Sequence, residues 1–582
     1  MSLKATAPIL CLLLFSSCGA LDTLIHLPTG QLEGRIQHSR EGREFASFEG
    51  VPYAEEPERW LPPEPKTSWN GTIDCSKAGP MCLQTDPYTP DTTVGSEDCL
   101  TMNIYTTSTD KEANLPVILF LHGGGMIMGT GEYYGGHFLV DHGVISITMN
   151  YRLDILGFLS LDSPRISGNQ ALRDIQLGLR WVRENIQYFG GDPDRVVISG
   201  QSGGSYATSM IYASPLSESL ISGAIFQSGV VLGPLGAPVN SREEGLYKSK
   251  ILAQELGCYT MQSQWDPEEV EQCLRGKSAS DVLLAGTRTK VSWTTNGVID
   301  SFSEHGAVLP LPLEDILQQR LHQPVPLMAG TMSNEELIFA VAEVADPSMI
   351  DGYDDESVWQ GLASSQMFLQ KSLLNTTDNC DAKYANKAKS FYFGERLDSE
   401  DLLAYITFGS DVKFGFPTNK YIDYMANSPV PVYNFIMTFQ DNTSFSFGAG
   451  SVGKGLGIAH GDELPYLYKI DKSYYDIPYE EWSADNLRHS NRMCELWANF
   501  AKYGNPTPDE GSELLGYAKW EKYDSSNPSF MDLGLELKMM SDPDLLKRLA
   551  FWEDTLANYG SDQCDTFSGD GFLSLDLWGI FD

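Results

Sequence analysis

The sequence predicts an α/β fold with a mainly parallel central sheet and helices on both of its faces, and two observations carry that expectation. Short apolar runs rich in β-branched residues recur along the 582 residues, and the stretches between them carry helical periodicity. Strands buried on both faces read as continuous apolar runs, and parallel neighbours need helical crossovers between them. In order, the predicted strands are Pro116–Leu121, Val144–Met149, Arg195–Ser199, Ala224–Phe226, Val325–Ala329 and Val432–Met437. The clearest helix has Leu172, Ile175, Leu179, Val182, Ile186 and Phe189 on one apolar face and ends at Gly190-Gly191. A second runs through Met493, Leu496, Trp497 and Phe500 and stops at Gly504-Asn505-Pro506. Steps of three and four residues produce such faces, and glycine followed by proline ends them. No repeat or low-complexity linker divides the chain, so residues 21–582 read as a single domain whose site lies at the carboxyl ends of the strands.

Met1 to Ala20 carries one lysine, then the apolar run Ile9–Phe15, then small residues, which reads as a secretory signal peptide cleaved after Ala20. No other stretch approaches the roughly 18 apolar residues of a membrane span, and the acidic end Leu573–Asp582 does not fit a lipid-anchor signal. The expected product is secreted, with no integral membrane span. A net charge of −38 and a pI near 4.5 argue against nucleic acid or anionic membrane as partners. Of ten cysteines, Cys11 and Cys18 leave with the signal. Cys82 with Cys99 and Cys258 with Cys273 each close one short loop and are the expected disulfides. Cys75, Cys380, Cys494 and Cys564 are left unassigned, with Cys494 on an apolar helical face that suits a buried thiol. Asn70, Asn375 and Asn442 open glycosylation sequons.

Chemistry concentrates where the third strand ends. Phe189-Gly-Gly-Asp-Pro-Asp-Arg-Val-Val-Ile-Ser-Gly-Gln-Ser202-Gly-Gly204 joins a β-branched strand to a serine between glycines. A G-x-S-x-G turn lifts a serine clear of the sheet, and Gly200 and Gly204 leave room for it. After the first strand, His122-Gly-Gly-Gly125 lets backbone N–H groups approach a ligand, which makes Gly124 and Gly125, with Gly203 after the serine, the candidate oxyanion hole. His122 is expected to support that loop. The base must be a histidine, and His460 in Gly457-Ile-Ala-His-Gly-Asp-Glu-Leu464 has the accessible setting, whereas His26, His38 and His322 read as surface residues. A carboxylate must fix the imidazole tautomer, and Glu335, in Gly330-Thr-Met-Ser-Asn-Glu-Glu336, follows a strand between the other two; Glu336 stays an alternative. The chain order Ser, Glu, His is that of an α/β-hydrolase fold. Gly448-Ala-Gly-Ser-Val-Gly-Lys-Gly455 mimics a phosphate loop, yet Gly455 stands where Ser or Thr would hold magnesium and no helix follows.

Taken together, these residues resemble the type-B carboxylesterase and cholinesterase family from about Gly50-Val-Pro-Tyr-Ala54 to Ala550-Phe-Trp552. The serine signature is met throughout Phe189–Gly204. The cysteine signature Glu97-Asp-Cys-Leu-Thr-Met-Asn-Ile-Tyr105 is met with Met102 and Thr107 as departures, and Asn150–Phe158, Phe226-Gln-Ser-Gly229 and His460-Gly-Asp-Glu463 are also similar. The resemblance implies a triad of Ser202, Glu335 and His460, an oxyanion hole of Gly124, Gly125 and Gly203, the two disulfides, and partly exposed ion pairs Arg59–Glu97 and Arg152–Asp174. It implies no cofactor and no metal. Two departures argue against choline esters: no tryptophan lies between Cys82 and Cys99 to hold a quaternary ammonium, and Gln201 stands where cholinesterases carry an acid. Met126 and Leu235 replace frequent aromatics and, with Gln201, are the expected pocket for an uncharged acyl chain. The expected activity is hydrolysis of a small-molecule carboxylic ester through an acyl-enzyme. A neutral-lipid or hormone-ester hydrolase and a catalytically idle adhesion relative are the alternatives.

Overall fold

In the computed structural model, which describes residues 21–557 apart from 233–234, 236–238, 290, 292, 294–296, 367–379, 427, 441–443, 445–454, 478 and 509–511, eleven strands pair into one sheet. In chain order they are β1 (Arg35–His38), β2 (Glu44–Pro52), β3 (Thr101–Thr106), β4 (Leu115–Leu121), β5 (Ile145–Met149), β6 (Gly191–Gln201), β7 (Gly223–Gln227), β8 (Leu327–Met332), β9 (Val432–Met437), β10 (Phe530–Leu533) and β11 (Leu537–Met540). Across the sheet the order is β11-β10-β9-β8-β7-β6-β4-β5-β3-β2-β1. Strands β4 to β10 run parallel, and antiparallel pairs extend the sheet at both edges. Each predicted strand is present. β8 starts two residues later than expected, at Leu327, because Pro326 has no N–H for the ladder.

Alternate residues of each central strand face opposite cores. Val117, Leu119 and Leu121 of β4 join one apolar cluster, with Val196, Ile198, Ala224, Phe226, Leu327 and Ala329. Ile118, Phe120, Val197, Ile225 and Met328 join another on the opposite face. The first face is covered by α1 (Gln170–Asn185) and α2 (Gly203–Ala213), the second by α5 (Ala484–Tyr503), with α3 (Leu402–Ser410), α4 (Phe416–Ala426) and α6 (Pro543–Ala557) completing the named helices. The predicted face of α1 enters the first core, with Leu172, Ile175, Leu179 and Val182 buried there. Met493, Leu496, Trp497 and Phe500 of α5 enter the second. Helix α5 opens on a capping box between Ser483 and Asn486 and closes on Gly504 in the left-handed region, φ 63°, the termination expected from the sequence.

The chain leaves β4 for β5 on one side, then crosses back to β6 on the other side of β4. This reversal is the point at which open α/β sheets form sites. Leu121 pairs with Gly200 across it, so His122-Gly123 and Gln201-Ser202 leave the sheet side by side.

Two disulfides join Cys82 to Cys99 and Cys258 to Cys273. Cys75 and Cys494 are buried free thiols. Met1–Ala20, Asn375, Asn442 and Cys564 lie outside the described residues, as does most of the glycine loop 448–455, while Asn70 is exposed. Of the two expected ion pairs, Arg59–Glu97 is partly exposed, but Arg152–Asp174 is not: its side chains keep 5% and 0% of their exposure. Asp174 accepts two guanidinium N–H bonds at 2.6 and 2.8 Å and the Arg152 backbone N–H at 3.0 Å, and Arg152 also donates to Leu61 O. This pair ties the start of α1 to the segment after β5. Removing one partner strands a buried charge, so Asp174→Ala is expected to cost about 3–5 kcal/mol, read as a fall in the urea unfolding midpoint; a parental midpoint would contradict it.

Candidate active site

Three loops at the carboxyl ends of β4, β6 and β8 converge with a fourth that follows β9. The serine stands at the tip of the β6–α2 turn with φ 53° and ψ −121°, a backbone conformation that a non-glycine residue adopts at a cost of order 1–3 kcal/mol. The fold holds it there: Ser202 N–H donates to Gln227 O at 2.9 Å, and Tyr206 N–H returns to Ser202 O at 2.9 Å. Both flanking glycines are needed for space. A Cβ at Gly200 would overlap the Gly204 carbonyl oxygen, and one at Gly204 would overlap the Leu121 carbonyl oxygen. Ser202 is partly exposed, whereas Gln201, Glu335 and His460 are buried.

The glycine loop after β4 turns back on itself. Gly124 and Gly125 take φ of 100° and 61°, and Met126 takes φ 63°, while Ile127 and Met128 both donate to Gly124 O. A Cβ on Gly203 would lie 2.7 Å from Gly125 N, so the start of α2 abuts the row of loop N–H groups. Among the described residues, the N–H groups of Gly124, Gly125 and Gly203 have no acceptor. His122 is buried, stacks on Tyr151 at 4.7 Å and keeps Nδ1 2.8 Å from Gly123 O. Burial pushes its imidazole down to about 4, so the ring stays neutral and acts as a wedge under the loop.

Glu335 and His460 come from loops that are joined through their backbones. Asn334 N–H donates to Ile458 O at 3.0 Å and His460 N–H to Glu335 O at 3.3 Å. The side chains then meet, with His460 Nδ1 2.6 Å from Glu335 Oε2, while Oε1 accepts the Met332 N–H at 2.7 Å. A carboxylate on Nδ1 places the neutral ring's proton there and leaves Nε2 as an acceptor. Nε2 lies 3.1 Å from the Gln201 amide nitrogen. Glu336 turns away into a buried pair with Lys413, its carboxylate oxygens each 2.8 Å from Nζ. The adjacent acids are thereby separated, Glu335 to the imidazole and Glu336 to an ammonium.

Gln201, expected in the pocket, has its amide on the imidazole. Met126 and Leu235 are both buried but belong to different apolar clusters; Leu235 packs with Leu337, Ala340 and Ala459, which flank Glu335 and His460. His322, expected at the surface, is buried and stacked on Tyr212 at 5.5 Å. Three nearby features lay outside the sequence reading. Glu463 is buried and its Oε1 accepts from Gln227 Nε2 at 3.1 Å; burial, then the Glu335 charge, pushes its carboxyl up to about 8, so it is protonated at neutral pH and adds no second negative charge beside the imidazole. Phe414 stacks on the His460 ring at 4.5 Å, and Phe339 lies 5.6 Å from it. The available clue was Lys413 between the apolar residues Val412 and Phe414, because a buried ammonium demands a carboxylate.

A parallel sheet with a serine turn and a glycine loop at its switch point is the architecture of the α/β-hydrolases. Residues 21–552 match the family model described as the carboxylesterase family, and the chain belongs to that family. It is 31% identical over 549 residues to the cocaine esterase of Homo sapiens, covering 91% of this chain and 90% of that one. It is 28% identical over 561 residues to the juvenile hormone esterase of Tribolium castaneum, at 91% and 93% coverage. Among solved structures, juvenile hormone esterase from Manduca sexta, with OTFP covalently attached, matches with a TM-score of 0.76 at 25% identity over 92% of this chain and 99% of that one. The chain is accordingly a carboxylic ester hydrolase. No helix among the described residues is long and apolar enough to cross a membrane.

Proposed function

We propose that the chain is a secreted serine esterase that cleaves uncharged carboxylic esters through an acyl-enzyme. Ser202 Oγ attacks the carbonyl carbon and His460 Nε2 takes its proton. Glu335 holds the ring and stabilises the imidazolium, and the N–H groups of Gly124, Gly125 and Gly203 receive the developing oxyanion. The proton then passes to the departing alcohol, and water repeats the sequence on the acyl-enzyme. The observation that carries this reading is the 2.6 Å contact between His460 Nδ1 and Glu335 Oε2, beside a serine held on a strained turn. The Gln201–Nε2 contact must open for the proton to move, and a neutral amide makes that exchange inexpensive. A hormone ester is the second reading, favoured by the juvenile hormone esterases among the relatives; a profile over acyl chain length and alcohol size separates the two. The test of the mechanism is stoichiometric labelling of Ser202 by a fluorophosphonate, with a burst of p-nitrophenol from a p-nitrophenyl ester. A folded sample that neither labels nor turns over would favour the idle adhesion relative.

The amide at position 201 also sets a pH dependence. Gln201→Glu places a negative charge beside His460, which favours the protonated ring. Activity requires the neutral ring, so the acid limb of the kcat/KM profile is expected to move to higher pH by about one unit or more. An unmoved limb would show that residue 201 does not face the imidazole.

A further inference from the structure

Between α3 and α4 the chain makes a π-helical turn, Asp411–Gly415, a rare element that is frequent at functional sites. Each end is anchored. Asp411 Oδ2 accepts from Tyr392 Oη at 2.7 Å and from Arg548 Nε of α6 at 2.6 Å. Gly415 O accepts from Asn419 Nδ2 at 2.8 Å. In the middle, Lys413 Nζ bonds both carboxylate oxygens of Glu336, with the two side chains 6% and 2% exposed. Glu336 is itself fixed, since its N–H donates to Ser410 Oγ at 3.0 Å and Gly409 lacks the Cβ that would overlap its carboxyl. The residue after Lys413 is Phe414, whose ring covers the His460 imidazole at 4.5 Å and 30°. Phe339 stacks on Phe414 at 6.1 Å, and Lys413 Nζ lies 4.8 Å from the Phe339 ring.

We propose that Phe414 is a positioning residue for His460: the π-helical turn, pinned by the Lys413–Glu336 pair, holds the phenyl face on the imidazole and stabilises the imidazolium formed when Ser202 gives up its proton. The inference deepens the triad reading and rests on it. Nδ1 faces Glu335 and Nε2 faces the Gln201 amide. Glu463 and Asp462 belong to the loop of His460 itself; Glu463 is protonated, and Asp462 accepts from Ala459 N–H and Ser444 Oγ. The Glu336 and Lys413 charges offset each other. What remains against the ring's flat side is a π face, and a cation over such a face is stabilised where the same ring uncharged is not.

The experiment measures kcat, KM and fluorophosphonate labelling across pH for Phe414→Leu, Phe414→Tyr and the paired change Glu336→Gln with Lys413→Met. For Phe414→Leu, kcat is expected to fall by roughly two- to thirtyfold with KM unchanged, and the acid limb to move to lower pH, because losing the π face disfavours the protonated ring. Phe414→Tyr should keep both parental values. The paired change removes no net charge, so any loss of kcat with the same limb shift reports release of Phe414; it also serves should Phe414→Leu fail to fold. Parental behaviour in Phe414→Leu or in the paired change, a loss of kcat with an unmoved limb, or a rise in KM alone would each overturn the proposal. Labelling of the parent keeps the two readings apart, since a parent that does not label sinks the triad rather than the role of Phe414.

Discussion

Ser202→Ala is expected to lower kcat for p-nitrophenyl esters by about 10⁵- to 10⁶-fold, the scale on which a serine hydrolase loses its nucleophile, while the unfolding midpoint stays close to the parent's. The asymmetry follows from where the hydroxyl stands. Ser202 Oγ has no side-chain hydrogen bond among the described residues, and the side chain is partly exposed, so its removal opens no cavity and leaves no buried group unpaired. The turn is held by main-chain bonds to Gln227 and Tyr206 that alanine preserves. Substrate affinity should survive too, because the glycine loop remains. Steady-state kinetics with an unfolding curve check both halves, and hydrolysis at even a hundredth of the parental rate would reject Ser202 as the nucleophile.

Replacing the two neighbouring glutamates one at a time should give sharply unequal results. Glu335→Gln keeps the volume but offers Nδ1 an amide in place of an anion, which permits the wrong tautomer and leaves the imidazolium unsupported; a loss of about 10⁴ in kcat is the expected scale. Glu336→Gln leaves the Glu335–His460 contact intact, so its loss of activity should be within about the thirtyfold attainable through Phe414. Its larger cost is to stability, because Lys413 then lies buried without its anion, a deficit of about 3–5 kcal/mol. Parallel kinetics and urea unfolding of the two variants separate these roles, and equal losses of kcat would mean that the carboxylates share the imidazole.

The central strands and both strongly periodic helices were legible because burial on two faces writes itself into composition: Val117 to Leu121 has no polar residue to spare. The antiparallel edge strands were not, since Arg35–His38 and Glu44–Pro52 mix polar and apolar residues in ways that loops also show. Within the site, Ser202 and the glycines were legible because their geometry is local, confined to one turn each. His460 and Glu335, 125 residues apart, were reached through position after a strand and through family resemblance. Which of Glu335 and Glu336 turns toward the imidazole is decided by Lys413, 77 residues beyond Glu336, and no local pattern encodes that. The same holds for Gln201, whose place beside the serine suggested a pocket wall while the fold turns its amide onto the ring. Arg152–Asp174 was expected to be partly exposed, because pairing is visible in a sequence and burial depth is not.

The missing methyl groups at Gly200 and Gly204 have a consequence for how this enzyme can change. Their places are filled by the carbonyl oxygens of Gly204 and Leu121, so neither position admits any other residue without moving the start of α2 away from β6 or β4. A laboratory search for new substrates therefore has nothing to gain from diversifying the serine turn. The expected pocket residues Met126 and Leu235 sit in separate apolar clusters, so each can be varied without repacking the other.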